Sequence, residues 1–280
     1  LKIGKEEQEK LIHAACKIAK CAAGDALAGN KSQKEPVFIA GDIGPIPFSP
    51  DYTKQDVIEE YKRMCDIYIE ENMSAILFET FADLTMIEEV IKYVKEKSDI
   101  FIITDFCVNK NGYSALGIKA NRLLEQVEKI EQIDAVGFNC GIGSGHMYQM
   151  LKKFHFPSNK YTVCMPNAGY PEQFQNRMVF MDNADYFVEN MSEIAELGVN
   201  IMGGCCGTTP EYIEKFSSKV SLQPMVKASA MEVWTEEEQE VKKEEKPNAF
   251  YQKMQEGKKV VAVELDPPYD AKYDAIMEYA

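Results

Sequence analysis

Two adjacent cysteines, Cys205 and Cys206, lie in the stretch from Gly203 to Pro210, which reads GGCCGTTP. Neighbouring side chains on a β-strand point to opposite faces, so one site can use both thiols only where a strand runs out into a turn. A third cysteine, Cys140, closes the segment GFNC and is followed at once by the glycine-rich GIGSG. Thiolates are soft ligands that favour zinc over magnesium or calcium. Three of them meeting at one point leave a fourth tetrahedral position open, the arrangement of a catalytic rather than a structural zinc. Such a centre, with a formal charge of about −1 by ligand count, generates hydroxide poorly. It suits a visiting thiol, which a metal deprotonates while leaving it nucleophilic. The chemistry indicated is alkyl transfer to a substrate thiol.

Other readings of the same residues stand beside this one. Cys205 and Cys206 could be small buried hydrophobes near a strand end, or a vicinal disulfide, which neighbouring residues form only with strain. A thiol redox protein would be expected to carry a C-x-x-C pair, and the sequence has none. A zinc that merely braces a scaffold needs a fourth thiolate or imidazole. His146, in the helix expected after Cys140, is the histidine placed for that role, whereas His13 and His155 read as surface residues. Gly141, Gly143 and Gly145 do not meet the dinucleotide fingerprint, which needs its last glycine one place later; a tight turn that places Cys140 and starts the next helix accounts for them.

The elements that must position these thiols are legible as an alternation. The opening helix has Leu11, Ile12, Ala15, Ile18 and Ala22 at three- and four-residue intervals, which predicts one buried face. Short apolar runs then alternate with amphipathic helical segments: VFIAG, SAILFET, IFIITDF, IDAVGFNC, YTVCMPN and VNIMGG, with the helical TPEYIEKFSSKV following the last. This is the pattern of βα units around a parallel sheet buried on both faces. A doubly wound sheet and a closed (β/α)8 barrel both satisfy it. Each run ends in a polar or glycine-rich patch, GDIGP, ETF, TDFC, GFNCGIGSG, MPNAG and GGCCGTTP. In parallel α/β folds those ends open on one face, so the patches should converge. Thr208 or Thr209 is placed to cap the last helix, with Pro210 in its first turn.

The chain of 280 residues has a formal net charge of −14, which argues against nucleic-acid and anionic-membrane partners. No apolar stretch is long enough to span a membrane, the N-terminus is too polar for a signal peptide, and the eight cysteines are spread without the spacing of a disulfide scaffold. A cytoplasmic protein with reduced thiols is the expectation. The chain opens on a helix without an initiator methionine, so two strands and the front of a barrel are expected to precede it. Residues 221–247, rich in Glu and Lys, read as a charged linker, and residues 248–280 as the start of a second domain.

GFNC followed 65 residues later by GGCCG, with GDIGP, ETF and MPNAG in order, resembles the homocysteine S-methyltransferase family over residues 1–220. The resemblance implies a zinc-dependent (β/α)8 TIM barrel that methylates homocysteine to methionine, here lacking its first two strands. It implies Cys140, Cys205 and Cys206 as zinc ligands, Glu79 as the residue that holds the substrate amino group, and Asn167 beside the open metal position. Read on its own, Glu79 is a strand-end carboxylate that could pair with an ammonium or cap a helix. Asp42 stands where the family often has serine. The methyl donor, whether a methyl-folate, a methylated corrinoid on another protein, a sulfonium compound or betaine, is not written in these residues. The segment VAVELDPP resembles the opening of methylenetetrahydrofolate reductase, which implies the first βα unit of a second, FAD-containing barrel, Glu264 as a catalytic acid, and a bifunctional protein.

Overall fold

The computed structural model describes residues 4–29, 37–47, 49–154, 156–169, 171–174, 177–180 and 183–220. The linker, the second domain with Glu264, and His155 lie outside the described residues. In chain order the elements are α1 (Lys5–Gly29), β1 (Ala40–Ile43), α2 (Lys54–Glu70), β2 (Ala75–Phe81), α3 (Glu88–Lys97), β3 (Phe101–Phe106), α4 (Ala120–Glu128), β4 (Ala135–Gly143), α5 (Ser144–Leu151), β5 (Tyr161–Asn167), β6 (Pro171–Phe174), β7 (Arg177–Phe180), α6 (Ala184–Glu196), β8 (Ile201–Met202) and α7 (Pro210–Lys219). Among the described residues no helix is long and apolar enough to cross a membrane.

Six strands form one parallel sheet in the order β1-β2-β3-β4-β5-β8. The order never reverses. Right-handed crossovers then carry every helix to the same face, and there is no switch point of the kind a doubly wound sheet has. The winding is consistent with a TIM-barrel-like fold and departs from that of a doubly wound sheet. Among the described residues the sheet is open, with β1 and β8 at its edges.

The two faces bury different things. Ile43, Ile76, Phe78, Ile102, Phe106, Val136 and Phe138 pack under the helices in the larger apolar cluster. The alternate residues Ala75, Ile103, Ala135 and Val163 form a second, smaller cluster on the inner face, ringed by half-buried Leu77, Phe101, Tyr161, Met165 and Ile201. The period of two along each strand produces this division. Short inner-face residues leave room, and Gly137 on β4 is required there, because a Cβ would stand 1.9 Å from the Val163 carbonyl oxygen.

Three expectations are corrected. The first strand begins at Ala40, not Val37, because pairing with β2 starts at Ala40 opposite Ala75, and Phe38 is left 77% exposed. The opening helix turns a different face inward: Leu11 and Ile18 are exposed, as are Ala15 and Ala22, while Ile12 and Cys16 face the core. Polar contacts fix that rotation. His13 and Lys20 both reach Glu71 at 2.7 Å, and Arg63 on α2 meets Glu9 and Gln8. His13 is thus a half-buried partner of Glu71 and not a plain surface residue, and the Lys20 and His13 contacts hold the Glu71 carboxyl down at about 2. Finally, β6 and β7 form an antiparallel pair between β5 and α6, in a stretch whose residues carry no strand signal.

Candidate metal centre

Cys205 and Cys206 follow β8 along an extension of its ladder with β5. The Gly203 N–H donates to the Cys164 carbonyl at 3.1 Å, Cys205 N–H to Pro166 at 2.8 Å, and Ala168 N–H to Cys206 at 2.9 Å. Gly207 then takes a left-handed φ of 79°, and Thr208 N–H closes a turn onto the Cys205 carbonyl at 3.1 Å. The strict two-face alternation ends with the strand, which is how both thiols serve one site. Pro210 starts α7 as expected; Thr209 holds the N-cap position without a side-chain bond, and the Thr208 hydroxyl is buried without a partner among the described residues.

Cys140 arrives by a bulge. The β4–β5 register shifts between Asn139 and Gly143, and Cys140 itself has a φ of 56°, a left-handed conformation that a non-glycine residue adopts only under constraint. Gly141 follows at 69°, pressed against the Val108 carbonyl, where an added Cβ would stand at 2.4 Å. The bulge re-aims the cysteine side chain, and α5 begins at Ser144 directly after it.

The three sulfurs lie within 4.8 Å of one another. Cys140 Sγ is 3.7 Å from Cys206 Sγ, and Cys205 Sγ is 3.9 Å from Cys206 Sγ. A tetrahedral ion with metal–sulfur bonds of about 2.3 Å has ligand–ligand edges of about 3.8 Å. The donor set therefore fits zinc in both chemistry and spacing. No fourth Cys, His, Asp or Glu among the described residues joins the group, and His146 is exposed on α5 outside it. Burial, then contact with Cys140, raises the Cys206 thiol above its ordinary value, and burial followed by the charges of Cys140 and Cys206 raises Cys205.

Two neighbours of this centre were missed by sequence reasoning. Cys107, one residue beyond β3, is pushed up to about 11 by burial and by Cys140 and Cys206. Its place in TDFC, two residues past the inner-facing Asp105, was the available signal. Asn139, only 1% exposed, links the thiols to Glu79: its Nδ2 donates to Glu79 Oε2 and to Thr80 Oγ1, both at 3.0 Å, and lies 3.9 Å from Cys205 Sγ. Its Oδ1 accepts from Thr80 N–H at 2.8 Å, bracing Thr80 in its own left-handed φ of 65°. Glu79 is thus held at the strand end and does not cap a helix. Asn167 ends β5 opposite Gly143, is 6% exposed, and its Oδ1 has no partner among the described residues.

Beside Glu79 stand two more carboxylates. Asp42 on β1 is raised to about 6 by burial, then by repulsion from Glu79. Asp105 on β3 is fully buried and is raised well above the usual range by burial first, then by Glu79 and Asp42.

These observations define a class: a singly wound, barrel-type parallel α/β protein whose strand ends carry a three-thiol, zinc-fitting centre beside a group of carboxylates. The family model described as homocysteine S-methyltransferase matches residues 1–220, and the chain belongs to that family. Among its relatives are methionine synthases of Mycobacterium leprae, 26% identical over 197 residues, and Mycobacterium tuberculosis, 27% identical over 193. Each match covers 66% of this chain and 16% of the relative, so the chain spans only a small part of those proteins' length. Among solved structures, the apo form of the homocysteine methyltransferase MmuM from Escherichia coli shares the fold with a TM-score of 0.63 and 19% identity, over 79% of this chain and 76% of that one. The metallated form of MmuM gives 0.60 and 18% identity, over 78% and 73%.

Proposed function

We propose that this protein transfers a methyl group to the thiol of homocysteine, giving methionine, at a zinc ion held by Cys140, Cys205 and Cys206. The observation that carries the reading is the sulfur triangle, with edges of 3.7 and 3.9 Å, at the strand ends beside Glu79. When bound, zinc would supply Lewis acidity that keeps a substrate thiol deprotonated at neutral pH. The chain's own residues do the rest. Glu79, braced by Asn139, accepts the substrate ammonium and so aims the sulfur of a short amino acid toward the thiols. Asn167, at the end of β5 one residue before the Ala168 N–H that donates to the Cys206 carbonyl, offers an amide oxygen without a partner among the described residues. The thiol loses its proton, its sulfur forms the new bond to the methyl carbon, and the donor leaves with the electron pair of the broken bond.

The acidic charge and the scattered cysteines support a cytoplasmic setting with no nucleic-acid or membrane partner. We read residues 1–220 as the transferase barrel, residues 221–247 as a linker and residues 248–280 as the opening of a reductase domain that would carry FAD and use Glu264. That last reading is supported by VAVELDPP alone. A donor panel of methyl-folate, a methylated corrinoid, a sulfonium compound and betaine, assayed with homocysteine on the full-length protein, tests the function. Methionine should form with one donor, stop on chelation and return with zinc. Chelator-resistant turnover, or no methionine from any donor by zinc-replete protein, would refute it.

A further inference from the structure

Asp105 has no structural employment. Its side chain is 0% exposed, and neither carboxylate oxygen has a hydrogen-bond partner among the described residues. Buried carboxylates are normally paired, and an orphan calls for an explanation in function. The sheet register supplies one. The β2–β3 register shifts between Phe78 and Phe81, so that Glu79 and Thr80 together oppose Asp105, and the Glu79 charge bears on Asp105. On the other side Asp42 lies opposite Leu77, one inner-face step below Glu79. Three neighbouring strands therefore each carry a carboxylate near the same end of the sheet, and the middle one is Glu79. Burial and then the charge of Glu79 raise Asp42 to about 6, as expected of two acids facing the same space.

We propose that Asp105 is a specificity-determining residue of this site: with Glu79 and Asp42 it forms a three-carboxylate seat for the primary ammonium of an amino-acid thiol, one acceptor for each N–H. The inference rests on the reading of homocysteine as the acceptor substrate and adds to it a residue and a discrimination. An arriving ammonium brings positive charge to the three acids, and a proton held on Asp42 passes to solvent. It brings three donors to three acceptors, and Asp105 acquires the partner it lacks. The seat then rejects thiols of the same length that have no amine, because they would leave the carboxylates mutually repelling and unpaired.

The test is calorimetric binding of L-homocysteine and of 4-mercaptobutanoate, the same chain without the amine, to the zinc-loaded full-length protein. Wild type should prefer homocysteine. Asp105→Asn keeps the shape and removes the charge, and should reduce that preference by about tenfold or more, the worth of one charge-assisted hydrogen bond, while 4-mercaptobutanoate binds within about threefold of wild type. Asp105→Thr, which suits a strand, serves should the amide variant fold poorly by circular dichroism. Equal weakening of both ligands, or an unchanged preference, overturns the role of Asp105 while leaving homocysteine as the substrate. Failure of wild type to bind homocysteine overturns the underlying reading and the seat with it.

Discussion

Single residues at this site hold conformations and charges that the fold alone would not choose. Cys140 and Thr80 are non-glycine residues with positive φ, and Asn139 lies between them, hydrogen-bonded to Thr80 and Glu79 and adjacent in sequence to Cys140. Strain gathered at strand ends is the mark of a site built for chemistry. The acids carry a measurable signature as well. Asp42 is raised to about 6 in the folded chain, so folded protein holds a proton there that the unfolded chain gives up near 3.8. Stability from this group is present below about pH 4 and is lost as the pH rises through about 6. Urea denaturation of ligand-free protein should show stability falling across that interval, and Asp42→Asn should flatten the fall. The same slope in the variant would show that Asp42 is not the group whose proton is held in the folded chain. At this scale the sequence revealed the three thiols, because cysteine at a strand end is conspicuous. It hid Cys107, Asn139 and Asp105, whose importance depends on which face of a strand they take.

Among elements, the strands and helices were legible because burial on both faces writes an unbroken apolar run, and burial on one face of a helix writes a period of 3.6. Reading failed where another force competed. In α1 the apolar stripe Leu11–Ile18 was the natural choice for the inner face, yet His13, Lys20 and Arg63 make pairs that rotate the helix and leave both residues exposed. The β6–β7 pair had no signal, as PEQF and RMVF are short and lack alternation. The close approach of β4 and β5, which sets Cys140 against the Cys205–Cys206 turn, depends on Gly137. Gly137→Ala should cost about 3 kcal/mol, the range of overpacking in a tight interior, read as a lower urea midpoint. An unchanged midpoint would mean that the strands separate freely and that their spacing does not set the site.

At the largest scale, the described residues build a six-stranded, singly wound sheet whose helices cover one face and whose other face carries a small apolar floor. The thiols, Glu79 and Asn167 all lie at the ends of strands that the sheet brings side by side, although 66 residues separate Cys140 from Cys206. That convergence was predictable from the parallel βα pattern, since parallel strands share one carboxyl end. The match between sulfur spacing and a tetrahedral edge was not, because it depends on a bulge in one strand and a turn beyond another. The claim on which the account rests is that these three sulfurs hold one zinc with a place left for a fourth. X-ray absorption at the zinc edge, on zinc-loaded protein before and after addition of homocysteine, measures it directly. The account expects three sulfur neighbours at about 2.3 Å beforehand and four afterwards. Fewer than three protein sulfurs, or no additional sulfur when homocysteine is present, would contradict it.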